Sequence, residues 1–289
     1  MRRPVIKRSL FIRLCKSLAV SALLIAASLN IARAGDMAVK APPAVAPACI
    51  WCGWYVGLSA GYVDSRNNFS TVSTPVPDGV LGVVAGVSAG LAGLSTGSIP
   101  VGNTNGFIGG AQAGYNWQSG NVVAGIEADI QGLTRSSVSG TSTNTVVVVG
   151  VPVTSTQTAT MSTTYLGTLR GRLGLAETST WLAYVTGGLA YGGVKASDTL
   201  FQTGTNGFVG AGAGTLSTAR AGWALGGGLE WMVAPRWSVK AEFLHYDLGT
   251  SNFNSMPTSG FFATPVYQSN VSSAHFQGDI ARASVNYHF

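Results

Sequence analysis

The sequence predicts an all-β fold, an eight-stranded antiparallel β-barrel that crosses a membrane as an up-and-down meander. Apolar and polar residues alternate along eight segments of the chain, which is typical of strands with one apolar and one polar face. The connections between these segments are alternately short and long. Only 10% of the residues are charged, whereas soluble domains average about 25%. Together these features indicate a barrel in a bilayer.

Each alternating segment is long enough to span a bilayer at the tilt that is usual for barrel strands. No proline lies inside any of them, as expected for strands that are paired on both sides. Beyond residue 34 there is no run of about 18 strongly apolar residues, so a membrane-spanning helix is not expected. The predicted strands are 53–64, 106–117, 121–131, 164–176, 180–192, 219–231, 236–248 and 275–289.

The lengths of the connections predict the side of the membrane on which each one lies. Those after the second, fourth and sixth strands have 3, 3 and 4 residues, and those after the first, third, fifth and seventh have 41, 32, 26 and 26. Outer-membrane barrels have short periplasmic turns and long extracellular loops. We therefore expect the long connections outside the cell, where the valine run "TVVVVGVPV" could extend a hairpin beyond the membrane.

One face of the predicted strands is apolar and is expected to contact lipid. It carries residues such as Ile126, Leu173 and Phe243 and no charge through the middle of any strand. Aromatic residues cluster at the strand ends, as in the girdles found at membrane interfaces. On the short-turn side these are Trp54, Tyr115, Trp117, Trp181, Trp231, Trp237, Tyr287 and Phe289, and on the long-loop side Tyr62, Phe107, Tyr165 and Tyr191.

The opposite face carries the charges. A charge facing lipid near the midplane would cost roughly 2–4 kcal/mol, so these side chains are expected to point into the lumen, where charges persist only if paired. Hairpin neighbours can pair the acids of strand three with the arginines of strand four, and Lys240 and Glu242 with Arg282. Because eight strands enclose a lumen that side chains can fill, we expect a polar core. Its residues are Glu127, Asp129, Arg170, Arg172, Glu230, Lys240, Glu242 and Arg282.

The first residues of the chain predict export. A basic segment, "MRRPVIKRSLFIRLCK", precedes an apolar one, "SLAVSALLIAASLNI", and Ala32-Arg33-Ala34 is a small-residue cleavage site, the pattern of a secretory signal peptide. A membrane anchor is the rival interpretation, but the apolar core is short. We expect a signal peptide at 1–34, a Pro/Ala-rich periplasmic linker at 35–52 and the barrel domain at 53–289.

The net charge of the exported chain is close to zero. The whole sequence has 17 Lys and Arg residues against 11 acidic ones, a net charge of +6. Seven of the basic residues lie in residues 1–34, which leaves ten and a net charge of about −1. No basic patch remains that would indicate binding to nucleic acid.

Cys49 and Cys52 form a C-x-x-C motif at the junction of the linker and the first strand. A catalytic dithiol normally begins a helix, and zinc would need two further ligands, whereas the only other cysteine, Cys15, lies in the signal peptide. A disulfide is compatible with an oxidising periplasm, but residues three apart need a tight turn to form one. The two cysteines could therefore form a small disulfide clip or remain as free thiols, and both alternatives are left open. In either state we expect the motif to be incidental to function.

Six segments carry a family resemblance, namely "WCGWYVGLSAGY", "GAQAGYNWQSGNVVAGIEADIQG", "YLGTLRGRLGLA", "VTGGLAYG", "KAEFLHYDLG" and "ARASVNYHF". In this order they resemble the strands of RopB-type outer-membrane surface proteins, part of the wider OmpA-like and opacity-type eight-stranded, porin-like barrels. The resemblance covers all predicted strands and leaves the long loops unmatched. It implies an integral protein of a Gram-negative outer membrane, in contact with lipid and lipopolysaccharide. It also implies that Val285, Tyr287 and Phe289 are the C-terminal signal for the barrel-assembly machinery.

The expected function is a structural or surface-interaction role in the cell envelope, with contacts to a host or other surface through the loops. The leading alternative is a small diffusion pore, which requires gaps in the interior network. Glycines on the lumen face would favour such gaps, namely Gly57, Gly61, Gly110, Gly114, Gly226 and Gly228.

An enzyme and a haem-binding protein are weaker alternatives. His245, Asp247, His275 and Asp279 are expected near the outer rim of the last two strands, but their spacing matches no catalytic motif, and adjacent strand ends collect polar residues in any case. Haem ligation by His245 and His275 is a further alternative, and a soluble secreted barrel is the last. We expect no catalytic residue, no metal and no cofactor.

Overall fold

The computed structural model describes residues 49–75, 83–134, 137–176, 180–255, 258–261 and 264–289. The predicted signal peptide and most of the predicted linker lie outside the described residues. In chain order the elements are β1 (Gly53–Pro75), α1 (Val83–Ser95), β2 (Gly97–Ile99), β3 (Thr104–Ser119), β4 (Val122–Leu133), β5 (Ser137–Val148), β6 (Val151–Leu175), β7 (Trp181–Gly204), β8 (Val209–Ala234), β9 (Trp237–Ser255), β10 (Thr258–Phe261) and β11 (Thr264–His288).

Eight of the strands form a closed antiparallel ring. Their order is β1, β3, β4, β6, β7, β8, β9 and β11, and β11 pairs with β1 to close the ring. Each corresponds to one predicted strand, so the predicted eight-stranded meander is confirmed. The remaining strands pair at its margins: β2 with β1, β5 with β6, and β10 with β11 and β8.

Six ring strands run well past their predicted ends on the long-connection side. β6, for example, begins at Val151 rather than near residue 164, and β7 continues to Gly204 rather than ending near residue 192. We call this part of the barrel, beyond the outer aromatic residues, the extracellular extension. The sequence predicts loops here because the alternation uses Ser and Thr instead of apolar residues. Threonine is nevertheless a strong strand former, and Thr145 and Thr154 are hydrogen-bonded across β5 and β6 at 2.8 Å.

The valine run forms the end of the β5–β6 hairpin, as expected. Val146 pairs in register with Val153, and the chain turns at Val149 and Gly150, which both have positive φ. The inward side chain of Val148 is buried against α1. This hairpin therefore belongs to the extension and supports the helix.

The helix α1 lies at the top of the extension. Its 13 residues pack Val87, Leu91 and Leu94 against Val148, Val153 and Phe208. Among the described residues, no helix has both the length and the apolar character needed to cross a bilayer. Since α1 contacts β1, β5, β6 and β11, it covers the outer end of the lumen.

The outer wall of the ring is apolar through the bilayer. Leu58, Leu173 and Leu225 expose 72%, 56% and 59% of their surface, which on this wall means contact with lipid. Aromatic side chains at the periplasmic end contact one another, with ring centroids 5.4 Å apart for Trp181 and Trp231. The aromatic residues predicted from the sequence do not include Trp223, which is 48% exposed on this wall.

The lumen above the charged residues is filled with apolar side chains. Leu244 and Ile280 occupy the next inward positions beyond Glu242 and Arg282, on the side of the outer end of the barrel. Both are 1% exposed. This apolar core comprises Val63, Phe69, Ile99, Val101, Ile108, Ala159, Met161, Leu166, Ala190, Val194, Ala196, Ala224, Leu244, Tyr246, Leu248, Phe253, Ala274, Phe276 and Ile280. A continuous apolar layer therefore separates the charged layer from the outer end of the barrel.

The lumen-facing glycines do not leave gaps, in contrast to the expectation for a pore. A Cβ added at Gly114 would overlap the hydroxyl of Tyr55, and one added at Gly57 would overlap the Asn286 side chain. At Gly228 the Tyr184 hydroxyl would lie 2.7 Å away. The space that each glycine leaves is filled by a large neighbour, so the glycines allow dense packing of the lumen.

We predict that Gly114→Ala destabilises the barrel, because its methyl group would displace Tyr55. The free energy of unfolding should fall by about 1–3 kcal/mol, as for other overpacked sites. It can be measured by urea unfolding of the barrel folded in phospholipid vesicles. Gly171→Ala is the matched control, since its nearest atom would be 3.9 Å away and alanine restricts the unfolded chain. Equal effects of the two substitutions would contradict a filled lumen.

Candidate functional site in the barrel lumen

All eight charged residues placed in the lumen by the sequence reading lie there and form the candidate site. None has more than 5% of its surface exposed. Each alternates with lipid-facing residues, as the two-residue period of a strand requires. They project from β4 (Glu127 and Asp129), β6 (Arg170 and Arg172), β8 (Glu230), β9 (Lys240 and Glu242) and β11 (Arg282).

Arg170 is the centre of the network. Its guanidinium donates to Glu127 at 2.6 Å, to Asp129 at 3.0 Å and to Glu242 at 2.9 Å. Arg282 donates to the same Asp129 at 2.9 Å and to Glu242 at 2.7 Å. Because these acids come from β4 and β9, the two arginines join opposite sides of the ring.

Glu127 accepts hydrogen bonds from two further side chains. Its carboxylate accepts from Lys240 Nζ at 2.7 Å and from the Tyr55 hydroxyl at 2.6 Å, in addition to Arg170. A second tyrosine, Tyr184, donates to Glu242 at 2.9 Å. Both acids are therefore saturated with donors, which is the condition under which buried charges are tolerated.

A second group lies nearer the periplasmic end. Arg172 donates to Glu230 at 3.0 Å and to Asn116 at 2.7 Å. Its guanidinium carbon lies 4.6 Å from the centre of the Tyr55 ring, a cation–π contact. Glu230 also accepts from Asn286 at 2.7 Å. Both charges of this pair are thus held by neutral partners as well as by each other.

The expected pairings hold for the arginines but not for Lys240. Arg170 pairs with both acids of β4, and Arg172 reaches Glu127 at 3.8 Å. Arg282 pairs with Glu242 of the neighbouring strand. Lys240 was expected beside Arg282, but its ammonium crosses the lumen to Glu127. Hairpin adjacency predicts neighbours along the wall, whereas a narrow lumen also lets a long side chain reach the opposite wall.

Neutral polar residues of the site were missed by the sequence reading. Gln112 donates to Asn286 at 2.6 Å, and Ser238 donates to Glu230 at 2.5 Å. These residues and both tyrosines lie on the face of their strands opposite the apolar, lipid-facing residues. Alternation along each strand therefore predicts the inward position of these residues as well as that of the charged ones.

The arrangement balances charge. Four cations and four anions share donors and acceptors in the lumen. In the part of the chain that the structure describes, no group of three or more His, Cys, Asp or Glu side chains could hold a metal ion. Such a network can stabilise the barrel and block passage.

The C-x-x-C motif closes the periplasmic mouth. Cys49 and Cys52 are joined by a disulfide, with Cα atoms 5.5 Å apart, so the chain makes the tight turn that such a bond requires. The turn inserts Trp51, which is fully buried. Its carbonyl oxygen accepts from Asn116 at 3.0 Å, and its amide donates to Gln118 at 3.1 Å. These residues, assigned to the linker from the sequence, are thus part of the barrel.

The rim histidines lie on the outer wall and are not brought together. His245 contacts Asp279 at 2.8 Å, and His275 contacts Asp247 at 3.6 Å and Thr250 at 3.0 Å. His245 and Asp279 are register partners, so the histidines are offset by four residues, roughly 13 Å along the strands. This separation does not suit two ligands of one haem iron.

The chain is similar to known proteins in sequence and in structure. Residues 22–289 match the family described as outer membrane protein beta-barrel domain. A 31 kDa outer-membrane immunogenic protein of Brucella melitensis biotype 1 is 35% identical over 243 residues, which cover 79% of this chain and 85% of that protein. A 22 kDa outer membrane protein of Rhizobium leguminosarum bv. viciae is 27% identical over 152 residues, 53% of this chain and 57% of that protein. Among solved structures, the outer membrane protein OprG of Pseudomonas aeruginosa is similar with a TM-score of 0.41 and 12% identity, over 82% of this chain and 97% of that chain.

We predict that Arg170→Ala strongly destabilises the barrel, because three acids would lose a buried donor. Breaking a buried ion pair costs about 3–5 kcal/mol, which urea unfolding in vesicles would measure. Arg66→Ala is the control: Arg66 pairs with Asp279 on the outer wall with 37% of its side chain exposed, and such pairs contribute about 1 kcal/mol or less. An unchanged unfolding midpoint for Arg170→Ala would contradict the network.

Proposed function

The chain belongs to the outer-membrane β-barrel family, and from that premise we propose that it is a closed barrel with a structural and surface-interaction role in the cell envelope. The observation that carries the proposal is the filled lumen. The charged network lies below a continuous apolar core. Trp51 occupies the periplasmic mouth and α1 covers the extracellular end.

A diffusion pore is disfavoured on the same grounds. A hydrated ion would have to pass both Arg170, which is 1% exposed, and the apolar layer that begins at Leu244. Passing Arg170 would break ion pairs between buried charges. Crossing the apolar layer would strip the ion of its water without giving it other ligands. The lumen-facing glycines do not widen this path, because neighbouring side chains fill their space.

The extension supplies the surface of the proposed role. It continues the ring beyond Tyr165 and Tyr191 of the outer aromatic residues, and its outer wall carries hydroxyl-bearing side chains such as Thr141 and Thr158. We infer that this wall contacts lipopolysaccharide, and that the hairpin ends contact a host or another surface. The immunogenic name of the Brucella relative fits such exposure.

We further propose that the protein is a RopB-type member of the family, and that it has no enzymatic activity. The rim histidines support the second point, since each is held by a different aspartate on the outer wall. We also propose that the barrel-assembly machinery recognises the outward-facing Val285, Tyr287 and Phe289. Val285 and Phe289 expose 49% and 70% of their surface to lipid, and Tyr287 lies between them on the same face.

We expect the purified, folded barrel to be electrically silent in a planar lipid bilayer. Folding would first be verified by resistance to unfolding in detergent at room temperature and its loss on boiling. A porin reconstituted in the same lipid would serve as the positive control for conductance. Steady, reproducible current steps from verified folded protein would overturn the proposal and make the protein a pore.

A further inference from the structure

One carboxylate of the extension lies in the lumen outside the charged network. Asp198 of β7 is 1% exposed. Along the inward face of β7 it lies between Ala196, which belongs to the apolar core, and Gln202, which donates to the Ser95 hydroxyl of α1 at 3.0 Å. Asp198 is therefore enclosed between the apolar core and the helix.

Asp198 is held by neutral donors. Gln157 Nε2 lies 3.1 Å from each carboxylate oxygen, and the Ser272 hydroxyl lies 3.1 Å from one of them. Thr71 completes the group, 2.9 Å from Gln157 Nε2 and 3.1 Å from the Ser272 hydroxyl. Among the described residues, no Lys, Arg or His forms an ion pair with Asp198, whereas every acid of the charged network has one.

Further polar atoms beside Asp198 are buried without a hydrogen-bond partner. They include the Ser255 hydroxyl and Asn270 Nδ2, on side chains that are 4% and 0% exposed. Asn270 pairs in register with Ser255 and is the next inward residue before Ser272. Gly214 is the register partner of Asp198, and a Cβ there would lie 3.0 Å from Ser255 Cβ. These groups therefore line the same polar layer as the carboxylate.

A polar cavity borders this layer at Gln157. It has a volume of about 170 Å³ and is lined by Thr96, Ser98, Ser142, Asn144 and Gln157, among others. This volume has room for several water molecules, each of which occupies about 30 Å³ in the liquid. Since Gln157 lines the cavity and also contacts Asp198, a hydrated ion could reach the carboxylate by displacing one amide.

Burial disfavours the ionised carboxylate as the site stands. Desolvation raises the pKa of Asp198, and the hydrogen bonds from Gln157 and Ser272 offset this only in part. A buried ionised carboxylate is costly unless it has a counter-charge. A bound cation would supply that counter-charge. Gln157 Nε2 is surrounded by oxygens of Asp198 and Thr71, so these oxygens converge on one region, which a cation could enter if the Gln157 side chain moved aside.

We propose that the extension binds a hard metal cation at Asp198, with oxygens of Thr71, Ser272 and Gln157 as further ligands. Rotating the Gln157 amide by half a turn exchanges its nitrogen for its oxygen. Carboxylate, hydroxyl and amide oxygens are the ligands that Ca²⁺, Mg²⁺ and similar cations prefer. The bound ion would join β1 and β11 to β6 and β7 across the lumen.

Hydrogen exchange of the folded barrel tests this site directly. Backbone amides of residues 69–73, 155–159, 196–200 and 270–274 would be followed in CaCl₂, MgCl₂ or NaCl, each against tetramethylammonium chloride of the same ionic strength. We expect at least one metal salt to slow exchange in these segments about tenfold in the wild type, because local opening must then release the ion. The three salts identify which cation is bound.

Two variants make the result specific. Asp198→Asn keeps the shape of the side chain and removes its charge, so the barrel should fold and lose the response to the metal salt. Asp64→Asn removes an acid from the outer wall of β1, and this variant should retain the response to the metal salt. No response in the wild type, an undiminished response in Asp198→Asn, or loss in both variants would each overturn the proposal.

Discussion

The structure depends on the mutual neutralisation of eight charges inside a lumen that is closed to water. This neutralisation does not depend on a single ion pair. Arg170 donates hydrogen bonds to three acids, and Glu127 accepts hydrogen bonds from Arg170, Lys240 and Tyr55. Each bond joins different strands, so a shift of register by one residue would turn charges toward lipid and strand their partners. The network therefore fixes both the register and the closure of the ring.

The layers above and below the network follow from this closure. Once the middle of the lumen is occupied, the apolar side chains that start at Leu244 and Ile280 pack on it without contact to water. Trp51 covers the periplasmic side, and α1 covers the extension. A membrane anchor that is filled along its length leaves the extension and its hairpins as the surface available to partners.

The features that depend on the alternation of residues along a strand could be predicted from the sequence. The contacts that cross the lumen between separated strands could not. Alternation and the cost of charge in lipid placed the eight strands and the interior residues. The contact of Lys240 with Glu127 was missed because the two residues lie on separated strands, 113 positions apart. The burial of Trp51 depends on the turn between Cys49 and Cys52, which no period signals. The extension was missed because its outer face is hydroxyl-bearing, a pattern shared by loops.

The contact between Lys240 and Glu127 offers the most direct test of a lumen whose charged layer is paired and closed to water. Solid-state NMR of the barrel in lipid, with ¹⁵N in lysine and ¹³C in glutamate, measures the dipolar coupling between the Lys240 ammonium and the Glu127 carboxylate. The structure places the nitrogen 2.9 Å and 2.7 Å from the two carboxylate oxygens, so a measurable dipolar coupling to the carboxylate carbon is expected. Absence of that coupling, with the ammonium exchanging rapidly with water, would mean an open, hydrated lumen and would contradict this account.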